Sequence, residues 1–286
     1  MRNIFFVFLM VTFTLPLFAQ NFSKTEKVIN TILDDSVKSG PQSFRKDKNR
    51  KTREQISTDK KKKKNQKDTL KTSSEDETLL KTGIHFFNGG LNEHALKVFY
   101  NLIAKFPQSP NLDNSRIWIG KIKIKQYKYI DAINELSKIK KDSGEYPGAI
   151  FYIGQCYYLN GNKVKSLGFF QKVFSEFPNH DLADNALLRT ARIYLQQRSG
   201  DQAVESAVKL IKYYKDRETI DDAYYLLGKI FEKDPTLKDI ERARRIYKQF
   251  LKKERDGIAH FKNSPLKHKI KRDLRFIEKT YFMMEN

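Results

Sequence analysis

Histidine and cysteine, the residue types most often found in catalytic and metal sites, are few and scattered in this sequence. The histidines fall in separate stretches without a His-x-x-x-His spacing: His85, His94, His180, His260 and His268. A zinc site needs several ligands at defined spacing, so isolated histidines are interpreted as surface or structural residues. Cys156 is the only cysteine and forms no internal disulfide. We predict no metal site, and we interpret Cys156 as a small buried apolar residue.

An acidic pair and a glycine pair also have structural interpretations. Asp221 and Asp222 could suggest acid–base catalysis, but other stretches of the chain also place an aspartate where a helix starts, so capping is favoured. Gly89 and Gly90 are not part of a longer phosphate-binding glycine loop, and they predict a tight turn. The sequence therefore predicts no catalytic residue, no cofactor-binding residue and no enzymatic activity.

Two stretches of sequence resemble each other: KFPQSPNLDNSRIWIG at 105–120 and EFPNHDLADNALLRTA at 176–191. Each begins with an aromatic residue and a proline, which closes a helix because proline lacks an amide N–H and clashes with the preceding turn. Asp113 and Asp184 then stand near the start of the next helix, where a carboxylate can accept from free backbone N–H groups. The repeated unit is therefore helix, turn, helix.

The same internal offsets recur when the small residue of the first helix is taken as a reference. These reference residues are spaced by 34 or 37 positions: Gly83, Gly120, Gly154, Ala191 and Gly228. Four have an aspartate seven residues earlier: Asp76, Asp113, Asp184 and Asp221. A bulky residue follows sixteen positions later, with a shift in the fifth copy: Phe99, Leu136, Phe170 and Tyr247. Small residues let two helices cross closely while the bulky side chains fill the space around the crossing.

Gly, an aromatic residue three positions later, Ala at twelve, a bulky residue at sixteen and Pro at twenty-four resemble the tetratricopeptide repeat. Five such copies cover residues 76–255. The resemblance implies an all-α fold, a right-handed α-solenoid of about five helix pairs. Residues 256–286 are expected to form a linker and a C-terminal capping helix, with apolar residues at helical spacing: Leu266, Ile270, Leu274 and Ile277.

The first residues have the pattern of a signal peptide. An apolar run from Ile4 to Phe18 follows Arg2, and Ala19 stands at a plausible cleavage point, so residues 1–19 are predicted to be removed on export. An uncleaved membrane anchor is the alternative, although the run is shorter than the roughly 20 residues that a spanning helix needs. We expect an exported, periplasmic protein.

Residues 20–75 are poor in apolar residues and rich in charge, and they predict a disordered arm. Five consecutive lysines stand within this arm: Lys60, Lys61, Lys62, Lys63 and Lys64. Within the arm, TEKVINTILDDSVK at 25–38 could form a short helix with a partner. The net charge of +21 raises nucleic acid as a partner, but the predicted export argues against it and favours lipid headgroups, cell-wall polymers or acidic proteins.

The resemblance also implies a concave groove lined by the first helix of each repeat. The positions carried over are Phe87, Asn88, Lys121, Lys125, Gln155, Tyr158, Asn185, Arg192, Gln196, Tyr225, Lys229 and Lys233. This set is basic and aromatic, with few acids, and it suits an acidic peptide segment. Asn185, Arg192 and Lys229 are similar to the family's clamp for a terminal carboxylate, but in a different register.

The aspartate near the helix start and the Phe-Pro at the end of a copy resemble repeats of bacterial envelope proteins, such as the Tol-system coordinator and an outer-membrane assembly lipoprotein. We therefore expect a non-catalytic periplasmic scaffold that binds envelope proteins. By analogy, envelope assembly or the periplasmic collar of the spirochete flagellar motor is a candidate setting. The alternative is a module that binds a polyanionic surface through the lysine-rich arm.

Overall fold

The structure, a computed structural model, describes residues 26–27, 29–31 and 65–282 of the chain. Within these ranges every regular element is a helix, and no strand occurs. From residue 65 the helices are α1 (Asn65–Asn88), α2 (Asn92–Lys105), α3 (Leu112–Lys125), α4 (Tyr129–Leu136), α5 (Tyr146–Leu159), α6 (Lys163–Glu176), α7 (Ala183–Gln196), α8 (Gly200–Tyr213), α9 (Ile220–Lys233), α10 (Ile240–Arg255), α11 (Ala259–Lys262) and α12 (Lys267–Tyr281). Residues 26–27 and 29–31 are also helical. The predicted all-α class is confirmed.

The described chain divides into two compact units. The N-unit contains residues 65–169, and the C-unit contains residues 170–282 together with the described residues between 26 and 31. In the N-unit, α1 packs on α2 and α3 packs on α4. In the C-unit, α7 packs on α8 and α9 packs on α10. Consecutive helices therefore pair in sequence order, as a repeat of helix, turn and helix requires.

The small reference residues lie where the two helices of a pair cross. The observed pairs are Gly83 with Phe99, Gly120 with Leu136, and Gly228 with Tyr247. A methyl group added at Gly120 would lie 2.6 Å from Leu136 Cδ2, well inside van der Waals contact. The bulky partner is fully buried in each pair. The predicted offset of sixteen residues is confirmed in the N-unit, and the shifted partner is confirmed in the C-unit.

Two of the repeated aspartates bond to the loop that begins the next pair, rather than capping a helix as predicted. In the C-unit, Asp184 is 3% exposed and its Oδ2 accepts from Thr219 Oγ1 at 2.8 Å. In the N-unit, Asp76 Oδ2 accepts from Ser109 Oγ and, at 3.4 Å, from Asn111 Nδ2. The prediction that these two residues cap helices is therefore wrong, because Asp76 lies inside α1 and no side chain caps the start of α7. Their carboxylates connect successive pairs instead.

Helix α1 begins at Asn65, inside the segment predicted as a disordered arm and well before Asp76. Lys, Gln and Glu have good helix propensities, so a polar stretch can extend a helix that is already anchored by tertiary packing. Residues 26–27 and 29–31, also in the predicted arm, are helical, as the sequence of 25–38 allowed. The arm prediction is therefore too broad at both of these places.

Helix α12 packs on α10 through Ile270, Leu274 and Ile277, three of the apolar residues predicted for a capping helix. The helix starts at Lys267, and Leu266 N donates to Ser264 Oγ at 3.1 Å just before it. Residues 1–19, the predicted signal peptide, lie outside the described residues. Among the helices that the structure does describe, none is both long enough and apolar enough to cross a membrane.

Candidate peptide-binding surfaces

The single thiol is not placed for chemistry. Cys156 lies on α5 with no exposed surface, and burial raises the pKa of its thiol to about 12. A thiol with such a pKa stays protonated at neutral pH and is a poor nucleophile. Within residues 26–27, 29–31 and 65–282, no three His, Cys, Asp or Glu side chains come together as a metal site.

In the N-unit, the predicted groove residues lie on the first helices of their pairs. Phe87 and Asn88 are at the end of α1, Lys121 and Lys125 are on α3, and Gln155 and Tyr158 are on α5. Asn88 and Lys125 are exposed, and the other four are half-buried.

Three of these residues, Phe87, Lys121 and Lys125, belong to a cluster of lysine and aromatic side chains. Lys121 Nζ lies 3.7 Å from the ring centroid of Trp118 and 5.5 Å from that of Tyr152. Lys125 Nζ lies 5.4 Å from the Phe87 ring centroid, and the Phe87 and Trp118 centroids are 5.1 Å apart. Both lysines therefore lie over aromatic faces, which attract cations. Burial lowers the pKa of Lys121, and the nearby Glu145 acts in the opposite direction.

Trp118 and Tyr152 were missed by sequence reasoning, although a signal existed. Both stand two positions before the reference glycine of their copy, Gly120 or Gly154. Leu226 occupies the same position in the fifth copy. Since a helix presents its side chains periodically, one lining residue predicts that the same repeat position lines the surface in other copies.

In the C-unit, the predicted residues lie on α7 and α9. Asn185, Arg192 and Gln196 are on α7, and Tyr225, Lys229 and Lys233 are on α9. Asn185 is half-buried near the start of α7. The structure places charged partners beside two of the three predicted cations.

Arg192 forms an ion pair across the two helices. Its Nη2 lies 2.5 Å from Asp222 Oδ1. Burial raises the pKa of Asp222, while Arg192 opposes that shift. The positive charge at this position is therefore already balanced by a carboxylate of the neighbouring first helix.

Lys229 is the centre of a larger polar network. Its Nζ lies 2.8 Å from both carboxylate oxygens of Glu232 and 3.3 Å from Asp273 Oδ2. Tyr225 donates to the same Asp273 oxygen at 3.3 Å, and Tyr247 donates to Glu232 Oε2 at 2.9 Å. Burial, followed by the nearby carboxylates, raises the pKa of both tyrosines. Asp273 comes from α12, outside the repeats, so the repeat pattern could not predict it.

Four predicted residues meet around one recess of about 510 Å³ in the C-unit. They are Gln196, Tyr225, Lys229 and Lys233. Sequence reasoning missed the remaining lining residues: Leu195, Arg198, Leu226, Asp234 and Pro235. A recess of this size is in the range of small-ligand sites, so it can accept a few side chains of a peptide. Arg198 and Lys233 are exposed at this recess.

Asp234 forms part of the recess wall and is held by its own loop. Its Oδ1 accepts from Thr236 N at 3.0 Å, from Thr236 Oγ1 at 2.7 Å and from Leu237 N at 3.1 Å. A methyl group added at Gly200 would lie 2.6 Å from Asp234 Oδ2. Glycine at the start of α8 therefore lets this buried carboxylate pack against the helix N-terminus.

Arg198 has a backbone conformation that favours glycine. Its φ is 58°, and at the same repeat position Gly90 and Gly161 have φ values of 78° and 82°. Tyr127, with φ 62°, occupies this position in the second copy. A residue with a Cβ in this left-handed region costs about 1 kcal/mol relative to glycine. Arginine at this turn is thus not explained by backbone preference.

The predicted polyanion-binding lysines, Lys60 to Lys64, lie outside the described residues. Their role therefore stays a prediction, as does the peptide-binding role of the groove residues.

The comparison with known families agrees with the helix pairs. The family model for the tetratricopeptide repeat matches residues 149–180 and 222–256. Among curated proteins, none matches this sequence significantly.

Several solved structures are similar in fold. A MamA protein is 17% identical, with a TM-score of 0.51 over 66% of this chain and 97% of that chain. A tetratricopeptide repeat protein from Parabacteroides merdae is 17% identical, with a TM-score of 0.51 over 71% and 73%. BtubC from P. vanneervenii is 16% identical, with a TM-score of 0.52 over 66% and 81%. At these identities the likeness concerns the fold.

Proposed function

We propose that this protein is an exported scaffold of a bacterial cell envelope. The chain contains tetratricopeptide repeats, and proteins with this fold typically serve as non-catalytic scaffolds for protein partners. The proposed ligand is an acidic segment of an envelope protein, bound at the recess of the C-unit. The observation that carries this proposal is the convergence of Gln196, Tyr225, Lys229 and Lys233 on one recess beside Arg198.

The cations around the recess are of two kinds: one is paired with carboxylates of the protein, and the others are exposed to solvent. Lys229 has its positive charge balanced by Glu232 and Asp273, so it contributes mainly to the shape of the wall. Arg198 and Lys233 are exposed and can reach an incoming carboxylate. The Tyr225 ring also lines the recess and supplies contact area, and Lys269 Nζ lies 4.7 Å from its centroid. Exposed cations around an aromatic surface favour an acidic peptide with apolar side chains.

Arg198 offers a specific test, because glycine suits its backbone better. We expect Arg198→Gly to keep or raise stability and to weaken binding of a fluorescein-labelled peptide of alternating glutamate and leucine by roughly tenfold, since a charge-assisted contact is lost. Fluorescence anisotropy at several salt concentrations measures the affinity. Tyr127→Gly is the matched control, because it relieves the same backbone strain in the N-unit and should leave the affinity unchanged.

The proposal fails if Arg198→Gly and Lys233→Ala both bind this peptide as tightly as the unaltered protein. It also fails if a peptide with glutamine in place of glutamate binds equally well. Loss of binding only when Lys60 to Lys64 are replaced by glutamine, with a steep dependence on salt, would favour the polyanion-binding arm instead.

Export is part of the proposal and rests on the apolar run from Ile4 to Phe18 followed by Ala19. Mass spectrometry of the native protein is expected to find a new N-terminus near Gln20 or Asn21. Intact Met1 in a membrane fraction would support the uncleaved anchor, and intact Met1 in a soluble cytoplasmic fraction would contradict export.

A further inference from the structure

The start of α10 carries an arginine that is held in position by its own surroundings. Arg242 Nε lies 3.3 Å from Asp239 Oδ2, and the Arg242 amide donates to Asp239 Oδ1 at 2.8 Å. The guanidinium carbon lies 5.1 Å from the ring centroid of Phe231. One edge of the guanidinium is therefore occupied, and its two terminal nitrogens remain to bind a carboxylate. Such a fixed geometry lowers the entropy lost on binding.

The carboxylate that binds these nitrogens comes from the N-terminal part of the chain. Glu26 Oε1 lies 2.7 Å from Arg242 Nη2, and Glu26 Oε2 lies 3.3 Å from Arg242 Nη1. A two-point contact of this kind is stronger and more specific than a single ion pair. It joins residues that are 216 positions apart in the sequence.

An apolar contact accompanies the ion pair on the same face of the segment. Ile29, three residues after Glu26, is 2% exposed and belongs to the apolar core cluster of the C-unit. Lys27, Asn30 and Thr31 are exposed. Because residues three apart share one side of a helix, the segment packs with one face inward and presents its polar face to solvent.

The core cluster that contains Ile29 also contains side chains of α8. The residues at the same repeat positions in α2, the equivalent helix of the N-unit, are less buried. Val208 is 5% exposed in α8, whereas Tyr100, at the same repeat position in α2, is 42% exposed. Val204 is buried as well, while its counterpart Leu96 is only half-buried. Val204 and Val208 are therefore buried in the same cluster as Ile29, whereas the side chains at the equivalent positions of the N-unit are partly exposed.

We propose that the C-unit contains a helix-docking site, separate from the recess, and that residues 26–27 and 29–31 of the same chain are its occupant. The site recognises a glutamate and an isoleucine three residues apart, through Arg242 and the apolar cluster. The contact holds these described residues of the N-terminal arm on the C-unit. In the structure the occupant belongs to the same chain, and the experiments below test this against docking onto a second copy.

Distance measurements between spin labels test the docking in the full chain. Labels are placed at Asn30→Cys and Arg245→Cys, two exposed positions on the segment and on α10. Because Cys156 is buried, we expect it to remain unlabelled, and a sample that lacks both introduced cysteines checks this. We expect one narrow, short distance distribution. A broad distribution in the otherwise unaltered chain overturns the proposal.

Substitutions then separate the docking contact from general folding. Arg242→Ala is expected to lower the ratio of docked to undocked segment roughly tenfold, the size expected from losing a charge-assisted pair. Ile29→Asp should abolish the short distance, whereas Lys27→Ala, on the exposed face, should preserve it. The double variant Glu26→Arg with Arg242→Glu should restore it in part. Equal behaviour of Ile29→Asp and Lys27→Ala contradicts the proposal.

Dilution with unlabelled protein distinguishes docking within one chain from exchange between copies. If the segment docks on its own chain, the short distance keeps its full amplitude on dilution. Loss of amplitude in proportion to the unlabelled fraction would show that the occupant belongs to a second copy, and docking within one chain would then be wrong.

Discussion

Replacing Gly228 by leucine is expected to lower the free energy of unfolding by about 3 kcal/mol, because the new side chain overpacks the crossing of α9 and α10. A methyl group at this position already overlaps the ring of Tyr247. That ring is fully buried, and its hydroxyl is fixed by the 2.9 Å hydrogen bond to Glu232. The clash therefore cannot be relieved by a small movement of the ring. Urea unfolding followed by circular dichroism measures the loss.

Gly168→Ala is the matched control for this prediction. Gly168 lies inside α6, and a methyl group added there has nothing within 4 Å. Alanine should raise helix stability by up to about 1 kcal/mol, because it loses less backbone entropy than glycine on folding. Similar destabilisation by the two substitutions would mean that the packing at the Gly228 crossing is not as described.

Replacing Lys229 by alanine is expected to destabilise the C-unit by about 2 to 4 kcal/mol, because two partly buried carboxylates lose their shared cation. The side chains of Lys229, Glu232 and Asp273 are only 16%, 13% and 11% exposed. Water therefore cannot fully replace the lost ammonium group. The same urea unfolding measures the effect, with Lys233→Ala as the exposed neighbour, which should change stability by less than about 0.5 kcal/mol.

A triple variant tests whether the effect is electrostatic. Lys229→Met with Glu232→Gln and Asp273→Asn removes both the cation and the charges that it balances, and it should recover part of the stability lost in Lys229→Ala. No recovery would indicate that packing of the lysine stem, rather than charge, is responsible. Peptide affinity should follow a different order from stability. Lys233→Ala, which hardly changes stability, should weaken peptide binding more than the triple variant does.

The helix pairs could be predicted from the sequence because their contacts are local and periodic. Gly83 with Phe99 and Gly120 with Leu136 are sixteen residues apart, so a small and a bulky residue at that offset already indicate a crossing. The first helices of the copies could be recognised for the same reason, which placed Tyr225 and Lys229 on the correct helix. Their shared partner Asp273 could not be predicted in this way.

The sequence by itself determined the repeat, the pairing of successive helices and which helices carry the predicted groove residues, since each depends on neighbours a few turns away. Only the tertiary structure decided that Lys229 is balanced by Asp273, 44 residues away, and that Arg242 binds Glu26, 216 residues away. Both carboxylates come from segments outside the repeats, one after them and one before them. Periodicity contains no information about such partners, because ion pairing depends on distance in space and not on offset along the chain.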